Sequence, residues 1–458
     1  MPTNRPENLA VADFGKTHTR IKILSPQGKF LTGTEISSTA FKAADDSLDV
    51  ASLQQWCEDA LTDLYWAQPF THLVPVTHGA TAVALREDGS ALPVRDYEAA
   101  IDPALSADYD ALRPAFDIAG SPALPAGLNL GRQLYAQQRT DAEFRASSTL
   151  LTYPQYWTWL WSGAAGTDAS SLGCHTDLWQ PNQRDWSPLA RDQGWDRKFA
   201  PLVRAGGVAG QLRPQLAQRI QARHPIDVHW GLHDSNAALA AFLDNDDAFT
   251  LLSTGTWLVA FSVGSTAHAL DTTRDNMWMV DVFERPVACA RFMAGREREH
   301  IAGTAPLADR QALLAVLESG TMALPSFAPG GPFPGSNGRI VGPAPRTPAE
   351  RAAVASLYIA LMADATLDPI AATGPLIVEG PLADDYVALA TLAALRPAQA
   401  LYSTQAQCVV YGAARLVFGM SAVPVPPLRR IELDPQLLVL VNETRRRWRQ
   451  SIDEARAS

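Results

Sequence analysis

Apolar residues run from Leu9 to Phe14 with a single break at Asp13, the pattern of a strand buried on both faces. Thr19-Arg20-Ile21-Lys22-Ile23 then alternates polar and apolar at the strand period, and Pro26 with Gly28 turns the chain into a third strand, Phe30 to Ile36. No helix fits between these strands, so Asp13-Phe14-Gly15-Lys16-Thr17 lies near the tip of a β-hairpin. That context separates it from the Gly-rich phosphate loop it superficially resembles, which must open a helix. Leu53 to Trp66 reads as a helix, Thr71 to Val76 as a strand leading into His78-Gly79, and Thr81 to Leu85 as a strand before the turn Glu87-Asp88-Gly89. Tyr97 to Leu130 is rich in Pro, Asp and Ala with weak periodicity and is expected to form a loop-rich cap. Tyr153 to Trp161 is strongly aromatic and is expected as a core helix, with a sugar-stacking surface as the alternative.

The opening pattern then returns. Phe249 to Ser253, the turn Thr254-Gly255-Thr256, and Trp257 to Phe261 repeat the plan of apolar strand, small hydroxyl-rich turn and apolar strand, which points to an internal duplication. A Pro/Gly-rich loop is expected from Pro325 to Pro345, a helix from Pro348 to Leu367, a strand from Pro375 to Glu379 ending in Gly380-Pro381, and a helix from Asp384 to Leu395. In the last stretch, Arg429 to Ala457, the run Arg445-Arg446-Arg447-Trp448-Arg449 reads as a solvated helix face. Alternating strands and helices predict an α/β architecture. The acidic stretch from Asp244 to Asp247 precedes the second hairpin, so two domains are expected, residues 1–244 and 245–458.

Composition narrows the function classes. The 458 residues suffice for two domains with separate cores. A formal net charge of -10 argues against nucleic acid or an anionic membrane as partner. The start, Met1 to Glu7, is polar and no apolar run reaches spanning length, so a cytoplasmic protein is expected. Cys57, Cys174, Cys289 and Cys408 are scattered without paired spacing and read as reduced thiols.

The candidate chemistry lies in the turns. Hydroxyl- and glycine-containing turns between strands present N–H groups to phosphate, and an acidic side chain beside one of them, Asp13, suits magnesium carried on a nucleotide. Two such turns could grip one phosphate chain from both sides across an interdomain cleft. That is the plan of the actin-like, hexokinase-like ATPase fold with its duplicated ribonuclease H-like domains. In His233-Asp234-Ser235-Asn236, Asp234 is positioned either as a general base or as the cap of the helix from Ser235 to Leu243, and both roles are compatible. His229 and His233 have the spacing of a helical metal pair, but Gly231 lies between them and no third ligand is near. Cys174 and His175, being adjacent, do not form a nucleophile pair.

Taken in order, these motifs resemble the FGGY carbohydrate kinases over nearly the whole chain. Asp13-Phe14-Gly15-Lys16-Thr17-His18-Thr19-Arg20 resembles the first phosphate motif, Gly166-Thr167-Asp168-Ala169-Ser170 a Thr-Asp-x-Ser segment, and Gly231-Leu232-His233-Asp234-Ser235-Asn236 the segment with the catalytic aspartate. Leu252-Ser253-Thr254-Gly255-Thr256-Trp257 resembles the second phosphate motif. Val378-Glu379-Gly380-Pro381 and Tyr411-Gly412-Ala413-Ala414 stand where the family has its adenosine glycines and a Gly-Ala-Ala helix. The resemblance implies ATP and Mg2+ as cofactors and Asp234 as the base that takes a sugar hydroxyl's proton. It places Asp13 on the metal, Gly15, Lys16, Thr17, Thr254, Gly255, Thr256, Gly380 and Gly412 on the nucleotide, and Asp234 on the sugar. From the residues themselves, His78, beside Gly79 at a strand end, is expected either on a substrate hydroxyl or as a structural histidine, and Asp96 and His175 are expected along the sugar pocket. It also implies a monomer or homodimer whose partners are the sugar and ATP.

Departures mark a divergent branch. Glu379 and Pro381 flank a single glycine, Arg95-Asp96-Tyr97-Glu98 replaces a Trp-x-Asp-x-Arg sugar contact, and the family's Lys/Trp helix signature is reduced to Gly131-Arg132-Gln133-Leu134-Tyr135. Leu172-Gly173-Cys174-His175-Thr176-Asp177-Leu178-Trp179 is similar to the rhamnulose and fuculose kinases, so 6-deoxyketohexoses lead as substrates and xylulose or ribulose follow. A sugar- or nucleotide-sensing descendant without catalysis, or an ATPase of the same fold, are the rival classes.

Overall fold

The computed structural model describes residues 7–43, 47–244 and 248–457. Residues 1–6 of the polar start, and 245–247 at the expected domain boundary, lie outside the described residues. Two compact units emerge: the first takes the chain up to Asp244 together with Trp278–Pro286 and Gln407–Val425, and the second takes the remainder. A linear division at 244/245 is therefore crossed by two segments of the second half.

In the first unit, β1 (Leu9–Phe14) is buried along its whole length, while β2 (His18–Leu24) alternates between core and surface. These are the burial patterns that the apolar run and the alternation predict. With β3 (Phe30–Ser37), β4 (His72–Thr77), β5 (Val208–Gln211), β6 (Asp227–His229) and β7 (Leu232–His233) they form a seven-stranded sheet in the order β5-β6-β4-β1-β2-β3, with β7 also pairing β4. Leu53, Cys57, Leu61 and Leu64 of α1 (Val50–Ala67) and Tyr153, Trp157 and Trp161 of α2 (Tyr153–Ser162) share one core with Ala10, Ala12 and Phe14 of β1. The aromatic segment is thus a core helix: Phe14 stacks on Trp157 with centroids 4.1 Å apart. After β7 the chain enters α3 (Asp234–Ala240).

The second unit contains β8 (Phe249–Thr254), β9 (Leu258–Val263), β10 (Pro286–Phe292), β11 (Leu376–Glu379), β12 (Leu401–Ser403) and β13 (Arg429–Ile431), in the order β10-β9-β8-β11-β12-β13. From β3 to β5, the first sheet's strands pair antiparallel, antiparallel, parallel, parallel and antiparallel. From β10 to β13 the second sheet repeats those senses. The duplication inferred from two hairpins extends to six of the seven strands in each sheet.

Helices α4 (Ala294–Ala302), α5 (Pro348–Leu367) and α6 (Tyr386–Leu395) belong to this unit. Thr347 caps α5 by accepting from the Glu350 N–H at 3.1 Å, and a proline in the first turn uses a position where no N–H is needed. The chain then contributes α7 (Cys408–Phe418) to the first unit and ends in α8 (Pro435–Ala457). Gly412 of α7 lies against α3 so closely that a Cβ would sit 1.8 Å from the Ala237 carbonyl oxygen. Among the described residues no helix is long and apolar enough to cross a membrane.

Three expectations are corrected. The stretch from Tyr97 to Leu130 holds the helices Pro103–Leu112 and Phe116–Ala119, because Tyr109 is buried with its hydroxyl on Asp177 and Asp102 caps the first helix. The Pro/Gly-rich loop is partly ordered by a strand pair, Met322–Leu324 with Arg339–Val341. The basic run is a solvated face only in part: Arg446, Arg447 and Arg449 are exposed, but the run also makes specific contacts. Arg445 reaches Asp364 at 2.6 Å, Arg449 reaches Asp368 at 3.3 Å, and the buried Trp448 donates to the Ala323 carbonyl at 2.8 Å.

Candidate active site

Strand register assembles the first cluster. β1 pairs β4 in parallel with Phe14 opposite Thr77, and β7 pairs β4 in parallel with His233 opposite Thr77. Asp13, His78, Gly79 and Asp234 therefore emerge at the carboxyl ends of adjacent parallel strands, where open α/β sheets place their ligand sites. Antiparallel pairing sets Asp13 opposite Arg20, and the Gly15 N–H closes the hairpin on the His18 carbonyl at 3.1 Å. Asp13 is buried; burial first, and then the Asp234 charge, push its carboxyl up to about 7, against the opposing pull of Arg20 and Lys22. Arg20 lies 3.8 Å from Asp13 and is shared with Glu35 at 3.1 Å.

Asp234 is the first residue of α3, preceded by His233 at the cap position, so it does not cap the helix as one of its two sequence readings expects. Its Oδ1 instead accepts from the Ser235 N–H at 2.6 Å and the Ser235 hydroxyl at 3.2 Å. His78 packs between Tyr97 and Tyr153, with ring centroids 5.3 and 5.2 Å away. Its Nδ1 lies 3.1 Å from the Gly79 carbonyl, which can only accept, so Nδ1 carries the proton and Nε2 offers a lone pair. Burial pulls the ring's pKa down and keeps it neutral.

Lys16 turns toward Asp96 at 2.5 Å and Glu98 at 3.3 Å, and stands over the Tyr97 ring. Lys42 adds a second contact to Asp96 at 3.3 Å. Burial alone would raise the Asp96 pKa, but the Lys16 hydrogen bond, the Glu98 N–H and the two lysine charges hold it below the usual carboxylate range. Thr17 is at the exposed tip, its hydroxyl 3.2 Å from His18 Nδ1.

The second unit builds its own site from the repeated hairpin. The Gly255 N–H closes the turn on the Trp257 carbonyl at 2.8 Å, and the Gly295 N–H bonds the Thr256 carbonyl at 3.1 Å. The Thr254 hydroxyl donates to the Glu379 carbonyl and accepts from the Leu382 N–H, which ties the turn to the end of β11. Gly380 has a positive φ of 77° and stands so near that a Cβ would be 2.0 Å from the Thr254 carbonyl oxygen. One glycine between Glu379 and Pro381 therefore meets both demands. Thr254, Gly255, Gly295, Arg298, Pro381 and Leu382 line a cavity of about 440 Å³, within the size range of small-molecule sites.

Residues 246–424 match the family described as carbohydrate kinase FGGY, C-terminal domain. A carbohydrate kinase from Novosphingobium aromaticivorans is 39% identical, with a TM-score of 0.87 over 97% of this chain and 100% of that one. The chain belongs to the FGGY carbohydrate kinases. Xylulose kinase from Rhodospirillum rubrum shares the fold at 15% identity, TM-score 0.79, over 98% of this chain and 99% of that one. So does Plasmodium falciparum glycerol kinase with ADP, at 10% identity, TM-score 0.77, and 98% coverage of each. Among curated proteins no sequence match was found.

In this FGGY kinase the residues expected at the site fall into distinct groups. Asp13, Gly15, His78, Gly79 and Asp234 gather at the strand ends of the first unit, and Thr254, Gly255, Thr256 and Gly380 gather in the second. Lys16, expected on phosphate, and Asp96, expected on sugar, are bonded to each other. His175 is held through Nδ1 by the Leu128 carbonyl, next to the pairing of Asp177 with Arg113 at 2.8 Å. Gly412, expected on the nucleotide, is spent on the α7–α3 crossing, where only a residue without a side chain fits. His229 and His233 do not share a helix: His229 ends β6 with Nδ1 on the Gly206 carbonyl and Nε2 3.1 Å from His72, while His233 faces Asp234. Among the described residues no three His, Cys, Asp or Glu side chains converge on a metal site. Gly295 and Arg298 were not anticipated. The small pair Ala294-Gly295 directly after an apolar strand was the legible signal.

Proposed function

We propose that this kinase transfers the γ-phosphoryl group of Mg-ATP to a hydroxyl of a small ketose, with Asp234 as general base. The observation that carries this reading is the Asp234 carboxylate itself. Oδ1 takes the contacts from Ser235, whereas Oδ2 carries none of them and the side chain keeps 28% of its exposure. Oδ2 takes the proton as the sugar oxygen bonds to the γ-phosphorus and the bond to the bridging oxygen breaks, releasing ADP. His78 Nε2 accepts from a second hydroxyl and orients the sugar.

Asp13 suits magnesium. A buried carboxyl near a second carboxylate, with Arg20 at 3.8 Å shared with Glu35, gains from a divalent ion. Magnesium takes one or two carboxylates and fills its remaining positions with water and phosphate oxygens, so a preformed three-ligand cage is not needed. When bound, it neutralises charge on the phosphates. In the second unit the Thr254-Gly255-Thr256 turn stands beside a cavity of nucleoside size that Thr254 and Gly255 help to line; the Gly255 N–H and the Thr254 hydroxyl hold the shape of that turn by bonding the Trp257 and Glu379 carbonyls.

The test is a coupled ADP-release assay with Mg-ATP and a panel containing L-rhamnulose, L-fuculose, xylulose, ribulose, aldoses and polyols. Release stimulated by one ketose and abolished in Asp234→Ala is expected. Release indifferent to every sugar would move the protein to the ATPase or sensor class.

A further inference from the structure

His233 stands at the end of β7, buried, with Nε2 3.3 Å from Oδ1 of Asp234. Its other nitrogen, Nδ1, lies 3.4 Å from the side-chain amide of Asn236. That amide nitrogen also donates to the Ser170 carbonyl at 3.1 Å, and a carbonyl only accepts, so Nδ2 of Asn236 must face this way. Its second hydrogen then points to Nδ1 of His233, which must be the unprotonated nitrogen. The imidazole proton is left on Nε2, facing the carboxylate.

The support behind Asn236 is rigid. Buried Asp168 accepts from the Ser170 hydroxyl at 2.5 Å, the Ser171 N–H at 2.9 Å and Gln155 Nε2 at 2.9 Å, and Gln155 also donates to the Gly231 carbonyl at 2.7 Å. This fixes both the carbonyl that orients Asn236 and the strand that carries His233. On the opposite side the ring is confined by Gly79, where a Cβ would lie 2.7 Å from Nε2.

We propose that His233, with its tautomer set by Asn236, is a positioning residue that holds Oδ1 of Asp234 and so leaves Oδ2 to take the proton of the sugar hydroxyl. The inference rests on Asp234 being the base. A terminal carboxylate torsion has broad, shallow preferences, so a base that is not held spends much of its time turned away. Ser235 grips Oδ1 from the helix side, and His233 supplies the second, independent hold.

The test uses the full-length enzyme with Mg-ATP and whichever ketose the ADP-release screen selects. His233→Ala is expected to lower kcat on the order of 10- to 100-fold with little change in KM for sugar or ATP. His233→Gln, whose amide N–H reaches as far as Nε2, should recover most of the loss. In an Asp234→Asn background His233→Ala should remove nothing further, since a positioning residue has no effect without the group it positions. Asn236→Ala, which frees the tautomer and leaves the ring intact, should lower kcat in the same direction, and it carries the test if His233→Ala does not fold. Unchanged kcat in His233→Ala or Asn236→Ala, a Gln variant no better than Ala, or additive losses with Asp234→Asn would each overturn the inference. If Asp234→Asn alone keeps full kcat, or no sugar is turned over, the base assignment fails first and takes this inference with it.

Discussion

Replacing Asp13 by Asn should make the metal-free protein more stable while removing its activity. The carboxyl at the end of β1 is raised from 3.8 to about 7 by burial and by Asp234. At about 1.4 kcal/mol per pH unit, three units amount to roughly 4 kcal/mol. The sign follows from which state holds the proton. Between 3.8 and 7 the unfolded chain has released it and the folded chain has not, so stability declines as pH rises through that window, and the full loss is present above 7. Asn copies the neutral carboxyl in shape and does not ionise. At pH 8, with EDTA present, the variant should therefore gain up to about 4 kcal/mol, falling below about 2 kcal/mol at pH 5, where much of the window has yet to be crossed. Thermal melts followed through the first unit's transition would register this as a shift of several degrees at pH 8. Equal melting temperatures at pH 8, or the same gain at both pH values, would refute the reasoning. Adding Mg-nucleotide should narrow the gap by stabilising the wild type more than the variant.

Two further outcomes follow from the packing. Gly412→Ala forces a Cβ to within 1.8 Å of the Ala237 carbonyl oxygen, so α7 and α3 must separate; a destabilisation of about 1–3 kcal/mol or more is expected in urea titration, with a drop in kcat because α3 begins at Asp234. His229 is pulled down to about 4, by burial first and with His72 adding to it, against an ordinary value of 6.5. The unfolded chain then binds the proton first, so about 3 kcal/mol of stability that is intact above 6.5 should be lost as the pH falls toward 4, and His229→Asn should flatten that acid slope in melting curves.

The strands and turns that carry the candidate site were legible because their determinants are local. An apolar run broken at Asp13 and followed by Gly15 defines a strand and its turn, whatever the rest of the chain does. The same local plan at Phe249 to Phe261 gave the second turn, and the pairing senses of both sheets bear out the duplication. The tertiary partners of Lys16 and Gly412 were not legible. Lys16 stands in a phosphate-like motif, but Asp96, eighty positions away, takes its charge. Gly412 stands in a family glycine position, but its use depends on how near α3 lies.

The amino-acid order alone determined the class of protein: two α/β halves, each opening with a hairpin whose turn suits phosphate, and an aspartate at the start of a helix in the first. These follow from side-chain period and turn chemistry, which act over a few residues. Tertiary structure alone decided the rest. It folded residues 278–286 and 407–425 into the first unit, turned a basic run onto Asp364 and Asp368, and brought His78, Gly79 and His233 around Asp234 through the registers of β1, β4 and β7. Ion pairs, close glycine contacts and strand register join residues distant in sequence, and no local pattern encodes which of the many possible partners burial will select.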